Sequence, residues 1–208
     1  MEAETPSGGN GGTRLYLVRH ALTGANSDGR RVGELDVPLS RRGRAQARQL
    51  ARRACDLAVD VVLTSPLARA RQTARFVAKG LGAPVREEPD LREMALGPWE
   101  GLSEEEIRAL YPEELAEWQA NPRGLDLPGH EGLEPTRERV VAVLERLLEG
   151  GERALCVTHL TVLRVAWTYY TGRELNAFAG ITPGHGQLFE LARVDGRTRW
   201  STVSEGEP

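Results

Sequence analysis

The sequence predicts one α/β domain. Three short apolar runs, Leu15–Val18, Val61–Leu63 and Ala154–Thr158, have the length of buried strands. Each leads, directly or through a loop, into a helical segment, the alternation expected of an α/β chain. At 208 residues there is enough chain for one such domain with a sizeable core. Two of the runs stop on a histidine, His20 and His159. The carboxyl ends of strands are where α/β proteins bind ligands, so these junctions are the first candidate sites.

Residues 1–12 are rich in Gly, Ser, Pro and Glu and read as a flexible tail. The first strand, Leu15 to Val18, runs into Arg19 and His20, and Gly24 and Asn26 mark the turn after it. Arginine holds phosphate oxygens with a planar fork of donors. A neutral imidazole nitrogen can attack phosphorus. The pair therefore suits phosphate, although ordinary polar residues ending a strand would look the same. Residues 33–39 are a loop, and Ser40 caps a helix over about 41–54. That helix carries Arg41, Arg42, Arg44, Arg48, Arg52 and Arg53 without interleaved aromatics, which describes a solvated face rather than a nucleic-acid patch. Asp60 to Pro66 is the second strand and its end. A helix over 67–79, with Gly80 past its end, starts at Arg69, so its free backbone donors are expected to face the same anion as Arg69.

Val85 opens a short edge strand. Residues 91–101 form a loop with apolar anchors at Met94, Leu96 and Trp99, and Glu93 among them is a candidate proton carrier. Ser103 and Glu106 make a capping box for a helix ending near Tyr111, and Pro112 opens another with Leu115 and Trp118. Residues 121–135 read as loop. From Glu100 to Pro135 there are ten acidic residues against two basic ones, and the segment at about 97–135 reads as an acidic lid. Thr136 caps an amphipathic helix with Val140, Val143, Leu144, Leu147 and Leu148 on one face. After the strand that stops on His159, a helix runs from about Thr161 to Tyr170. Strands at 187–191 and 198–203 are joined by the turn Asp195-Gly196. With no internal repeat, residues 13–204 are expected to form one domain.

Net charge is −3, a poor starting point for nucleic-acid binding. Cys55 and Cys156 lie far apart with no metal-ligand spacing, which favours a reduced, cytoplasmic chain. No run is long enough to span a membrane, and the N-terminus lacks a basic region followed by an apolar one.

Leu17-Val18-Arg19-His20 with Thr23 and Asn26 resembles the Arg-His signature of the histidine phosphatase superfamily, the phosphoglycerate mutase-like proteins. Gly33-x-x-Asp36-x-Pro38-Leu39-Ser40-x-x-Gly43-x-x-Gln46-Ala47 is similar to the segment that follows it. Ser65-Pro66-Leu67-Ala68-Arg69-Ala70-Arg71-Gln72-Thr73-Ala74 resembles the second arginine motif, and Leu91-Arg92-Glu93 with Gly97-Pro98-Trp99-Glu100-Gly101 the acidic-loop motif. Val157-Thr158-His159-Leu160-Thr161-Val162-Leu163-Arg164 resembles the second-histidine motif. The match keeps the family's order over roughly residues 14 to 192. It implies a three-layer α/β/α sandwich around a mixed, mainly parallel sheet. It implies His20 as the nucleophile and Glu93 as the acid for the leaving oxygen and then the base for water. It also implies Arg19, Arg69, His159, Asn26 and the backbone of Leu160 as phosphate contacts. Phosphoryl transfer on such a site relies on positioning and positive charge, so no metal or cofactor is expected.

The chain departs from the family where Ala21, Leu160 and Thr161 stand in place of usual glycines, with Leu160 expected to narrow the pocket or tilt His159. A usual Gly-Gly-Glu-Ser stretch is Gly129-His130-Glu131-Gly132 here. His130 and His185 fall in loops and read as surface histidines. The short, acidic link between Glu93 and His159 favours a phosphatase on a small phosphorylated substrate, similar to the α-ribazole phosphatase branch. The alternatives are a phosphoglycerate mutase-type transferase and a non-catalytic phosphate-binding regulatory module. The motifs leave the choice between monomer and homodimer open.

Overall fold

The structure, a computed structural model, describes residues 12–203, so most of the tail at 1–12 lies outside the described residues. Among the described residues six strands form one sheet: β1 (Thr13–Arg19), β2 (Val61–Thr64), β3 (Val85–Glu87), β4 (Ala154–Thr158), β5 (Leu188–Val194) and β6 (Arg197–Thr202). Their order across the sheet is β3-β2-β4-β1-β5-β6. The first four are parallel, β5 runs antiparallel to β1, and β6 antiparallel to β5.

Two-residue periodicity sorts the strand side chains into two cores. Leu15, Leu17, Leu63, Cys156 and Phe189 point to one face, and Tyr16, Val18, Val62, Leu155, Val157 and Leu188 to the other. On the second face lie α2 (Arg41–Arg53) and α3 (Ala68–Leu81), which supply Leu50, Ala70, Ala74 and Val77. On the first lie α6 (Leu133–Glu149) and α7 (Leu160–Tyr170), with Val140, Val143, Leu144, Leu147, Val162 and Leu163. The result is the predicted three-layer α/β/α sandwich. The segment expected as a lid contains α4 (Glu104–Leu110), with its capping box, and α5 (Pro112–Ala120), and it packs on the α6/α7 side through Ile107, Leu115, Leu125 and Leu127.

Some element ends differ from the sequence reading. α6 begins at Leu133 and not after Thr136, because Gly132 turns the chain with φ +84°. Thr136 lies inside that helix, where its hydroxyl donates to Gly132 O at 2.7 Å, the local bond that makes threonine look like a cap in sequence. α3 runs on to Leu81, with Gly82 as its left-handed cap. A one-turn helix, α1 (Gly24–Ser27), occupies the turn after β1, and a 3₁₀ segment spans Leu175–Gly180.

Candidate active site

The register of β1 against β4 pairs Val18 with Val157 and Arg19 with Thr158. Both strands therefore end side by side, with His20 and His159 just past their last pairs. The His20 N–H donates to Thr158 O at 2.9 Å, and the two imidazole centres are 5.1 Å apart. His20 Nδ1 lies 2.8 Å from Ala21 O. A carbonyl only accepts, so Nδ1 carries the proton and Nε2 keeps its lone pair. Burial holds the His20 pKa well below its ordinary value, and the charges of Arg69 and Arg19 lower it further. His20 is 3% exposed and lines a cavity of about 610 Å³.

His159 lies behind this wall. It is 0% exposed, its Nε2 is 2.7 Å from Ser65 Oγ, and its buried Nδ1 has no partner among the described residues. Burial first, then Arg69, lowers its pKa well below 6.5.

Residues of α2 and α3 fix the loop that carries His20. Ala21 N–H donates to Thr73 Oγ1 at 3.1 Å, and Leu22 N–H to Gln46 Oε1 at 3.0 Å. The Ser40 hydroxyl caps α2 and also donates to Leu22 O at 3.1 Å. Gly43 packs so tightly there that a Cβ would lie 1.9 Å from Leu22 O. Gly43, Gln46 and Thr73 belong to the quoted motifs, and this clamp is their structural role.

Arg69 is 1% exposed. Its Nη1 donates to Leu35 O at 2.8 Å and its Nη2 to Gly33 O at 2.6 Å. Arg19 Nη1 donates to Pro183 O at 2.9 Å. The Nε of each arginine is buried without a partner among the described residues. Burial lowers the Arg19 pKa to about 10, with Glu93 opposing. The expectation that the first donors of α3 face the anion is corrected: Ala68 N–H is taken by Asp36 Oδ1, so the side chain of Arg69 alone represents that helix on the cavity wall.

Glu93 is 8% exposed and lines the cavity. Its Oε1 accepts from Met94 N–H at 3.0 Å and Thr161 N–H at 3.2 Å, which ties the loop after β3 to the first turn of α7. Leu160, the first residue of that helix, and Asn26 also line the cavity. Neither Ala21 nor Leu160 has a left-handed backbone, because the single non-glycine with positive φ among the described residues is Asp195. Glycine is thus not required at either position for backbone reasons.

The other two histidines are not simple surface residues. His185 Nδ1 donates to His20 O at 2.9 Å, with its ring 5.2 Å from that of His20, and burial lowers its pKa to about 4. His130 sits off the cavity wall, packed edge-on against Trp99 and Trp118. Its Nδ1 accepts from Gly132 N–H at 3.1 Å.

The histidine phosphatase superfamily (branch 1) model matches residues 15–205. The chain belongs to the histidine phosphatase superfamily. It is 34% identical over 167 residues to phosphoserine phosphatase 1 of Hydrogenobacter thermophilus, covering 79% of each chain. It is 35% identical over 155 residues to phosphoglycerate mutase-like protein 4 of Arabidopsis thaliana, covering 72% of this chain and 67% of that one. Its fold superposes on the crystal structure of the α-ribazole phosphatase from Shigella flexneri with a TM-score of 0.83 at 28% identity, covering 92% and 96%.

The superfamily motifs account for one part of the cavity. Elsewhere its wall includes residues to which the sequence reading gave no role, among them Arg31, Trp118, Arg164 and Phe178. Helical spacing held the signal for one of them. Arg164 is four residues beyond Leu160 on α7, hence on the same face.

Proposed function

We propose that this superfamily member is a phosphomonoester phosphatase that acts on a small phosphorylated metabolite through a phosphohistidine on His20. The observation that carries the reading is the unprotonated Nε2 of His20 on the same cavity wall as Arg19 and Arg69, whose buried Nε donors have no partner among the described residues. Buried donors without partners are rare in folded proteins, and a phosphoryl group is a ligand that satisfies them.

His20 Nε2 attacks phosphorus and forms the N–P bond while the P–O bond to the leaving oxygen breaks. Glu93 gives that oxygen its proton. Arg19 and Arg69 neutralise the charge spread over the equatorial oxygens, helped by Asn26 and the Leu160 N–H at the start of α7. His159 lies one layer back, its ring centre 5.1 Å from that of His20, and stays a neutral imidazole that backs the nucleophile. Water then attacks phosphorus, Glu93 recovers a proton from it, the N–P bond breaks, and inorganic phosphate leaves. Free Cys55 and Cys156 fit a reducing, cytoplasmic setting. Among the described residues no helix is long and apolar enough to cross a membrane.

The test is turnover of p-nitrophenyl phosphate together with trapping of labelled enzyme. Phosphate on His20 is labile in acid and stable in base. His20→Ala is expected to lose both label and turnover, and a variant that keeps near wild-type turnover overturns the assignment. Because one relative is named mutase-like, 3-phosphoglycerate with a bisphosphoglycerate primer is the second arm. Isomerisation faster than phosphate release from the best monoester refutes the phosphatase reading.

A further inference from the structure

Three arginines on the cavity wall take no part in the phosphate cluster; Arg30 is paired with Glu106, and Arg31 and Arg164 are the other two. Arg31 lies on the segment after α1, and Arg164 on α7. An arc of rings joins them. Arg31 Cζ is 5.8 Å from the centre of a Trp99 ring, Trp99 meets Trp118 edge-on at 6.1 Å, and Trp118 meets Phe178 edge-on at 5.3 Å. Arg164 Cζ closes the arc, 5.5 Å from the Phe178 centre. Each end thus carries a guanidinium held over an aromatic ring, which orients it without using its hydrogen-bond donors.

Their ion pairing is incomplete. Neighbouring Arg30 is satisfied by Gly101 O at 2.7 Å and Glu106 Oε2 at 2.8 Å. Among the described residues the ion pairing of Arg31 is one long contact, 3.4 Å, to Glu104 Oε2, and Glu104 also serves Arg108 at 3.2 Å. Arg164 makes no ion pair among the described residues. Its Nε donates to Ile181 O at 2.9 Å, and its field comes from Glu93 on one side and Arg31 on the other. Of the acidic residues of the lid only Glu104 lines the cavity, and others such as Glu106 and Glu134 pair with Arg30 and Arg123, so lid composition does not describe the cavity wall. With Arg30 neutralised by Glu106, the wall charges left outside the phosphate cluster are Arg31, Arg164 and the shared Glu104, so this region is at least about one charge positive. That balance matches a monoanion better than a phosphate dianion, and a carboxylate fits the guanidinium fork.

We propose that Arg31 and Arg164 form a second anion subsite, which takes a carboxylate on the same molecule whose phosphoryl group goes to His20. The inference rests on the phosphatase reading and narrows it. The substrate is a phosphomonoester of a hydroxy acid or an amino acid, not a plain sugar or alcohol phosphate. The cavity of about 610 Å³ has room for both anionic groups.

The experiment compares O-phospho-L-serine with O-phosphoethanolamine, which differ only by the carboxylate, and uses p-nitrophenyl phosphate as a control. Hydrogen bonds to charged groups are each worth about 1.5–3 kcal/mol, or about 10- to 150-fold. The wild-type kcat/KM ratio is expected to favour phosphoserine at least about tenfold. In Arg31→Gln and in Arg164→Gln that ratio is expected to fall toward one. The ratio is immune to a general loss of activity, since both substrates share the phosphoryl site. The partly exposed Arg31 gives a variant that folds even if Arg164→Gln does not. No hydrolysis of p-nitrophenyl phosphate by the wild type overturns the phosphatase reading and the subsite with it. Hydrolysis without preference for phosphoserine overturns the subsite alone. A preference that survives both substitutions overturns the assignment to these two arginines.

Discussion

Glu93→Gln separates the acid role of this residue from its structural one. Glu93 Oε1 accepts from Met94 and Thr161 N–H, and a glutamine keeps that oxygen. The fold should therefore change by no more than about 1 kcal/mol, the net worth of one hydrogen bond. The transferable proton is lost outright. Positioned general-acid catalysis is worth about 10²–10⁴-fold, or about 2.7–5.4 kcal/mol of barrier. Nothing nearby replaces it. The other carboxylate on the cavity wall among the described residues is Glu104, already shared by Arg31 and Arg108. Glu100 accepts from the N–H groups of Glu34 and Leu96, and His130 is off the wall. An alkoxide leaving from an alkyl phosphate needs the proton as its bond breaks, whereas p-nitrophenolate does not. Glu93→Gln is expected to slow phosphorylation by glycerol phosphate about 10²–10⁴-fold and by p-nitrophenyl phosphate less than about tenfold. The assay is single-turnover rapid quench, because water activation in the second step is common to both substrates. Equal losses in the first step refute the acid role and leave Glu93 as a group that positions His20 or the phosphoryl group.

Stability should fall in mild acid. All four histidines have pKa values lowered by burial, so the unfolded chain takes up protons near pH 6.5 that the folded chain refuses. Stabilisation is complete above that pH and is lost as pH falls below it; His20 and His159 alone contribute a slope of about 2.7 kcal/mol per pH unit. Calorimetry from pH 8 to pH 5 should show Tm dropping steeply below about 6.5, and a flat Tm refutes the buried neutral pair. Gly43→Ala forces a Cβ against Leu22 O, so a backbone shift costing about 1–3 kcal/mol is expected, with lower kcat on every substrate because the His20 loop moves. Gly24→Ala, which meets nothing within 4 Å, is the control, and equal behaviour of the two refutes the clamp.

Much of this protein was legible in one dimension. Strand and helix periods depend on local side-chain order, so β1, β2, β4, α2, α5 and α7 fall within a residue or two of where the apolar pattern puts them. Arg19, His20, Arg69 and Glu93, singled out from contiguous motifs, line one cavity, and His159 is buried next to His20. Helix ends were less legible, since Gly132 and Thr136 offer competing local bonds and only the packed chain selects one. The tertiary structure alone decided three further matters. The β1/β4 register set the two histidines 5.1 Å apart and buried His159 behind His20. Asp36, from a distant loop, took the first donor of α3. Arg31, Trp99, Trp118, Arg164 and Phe178 come from five separate stretches, so their arc exists only once the lid and α7 pack over the strand ends. Sequence spacing reports which side chains share a face of one element. Which faces meet depends on burying apolar area between segments far apart in the chain, and no local pattern carries that information.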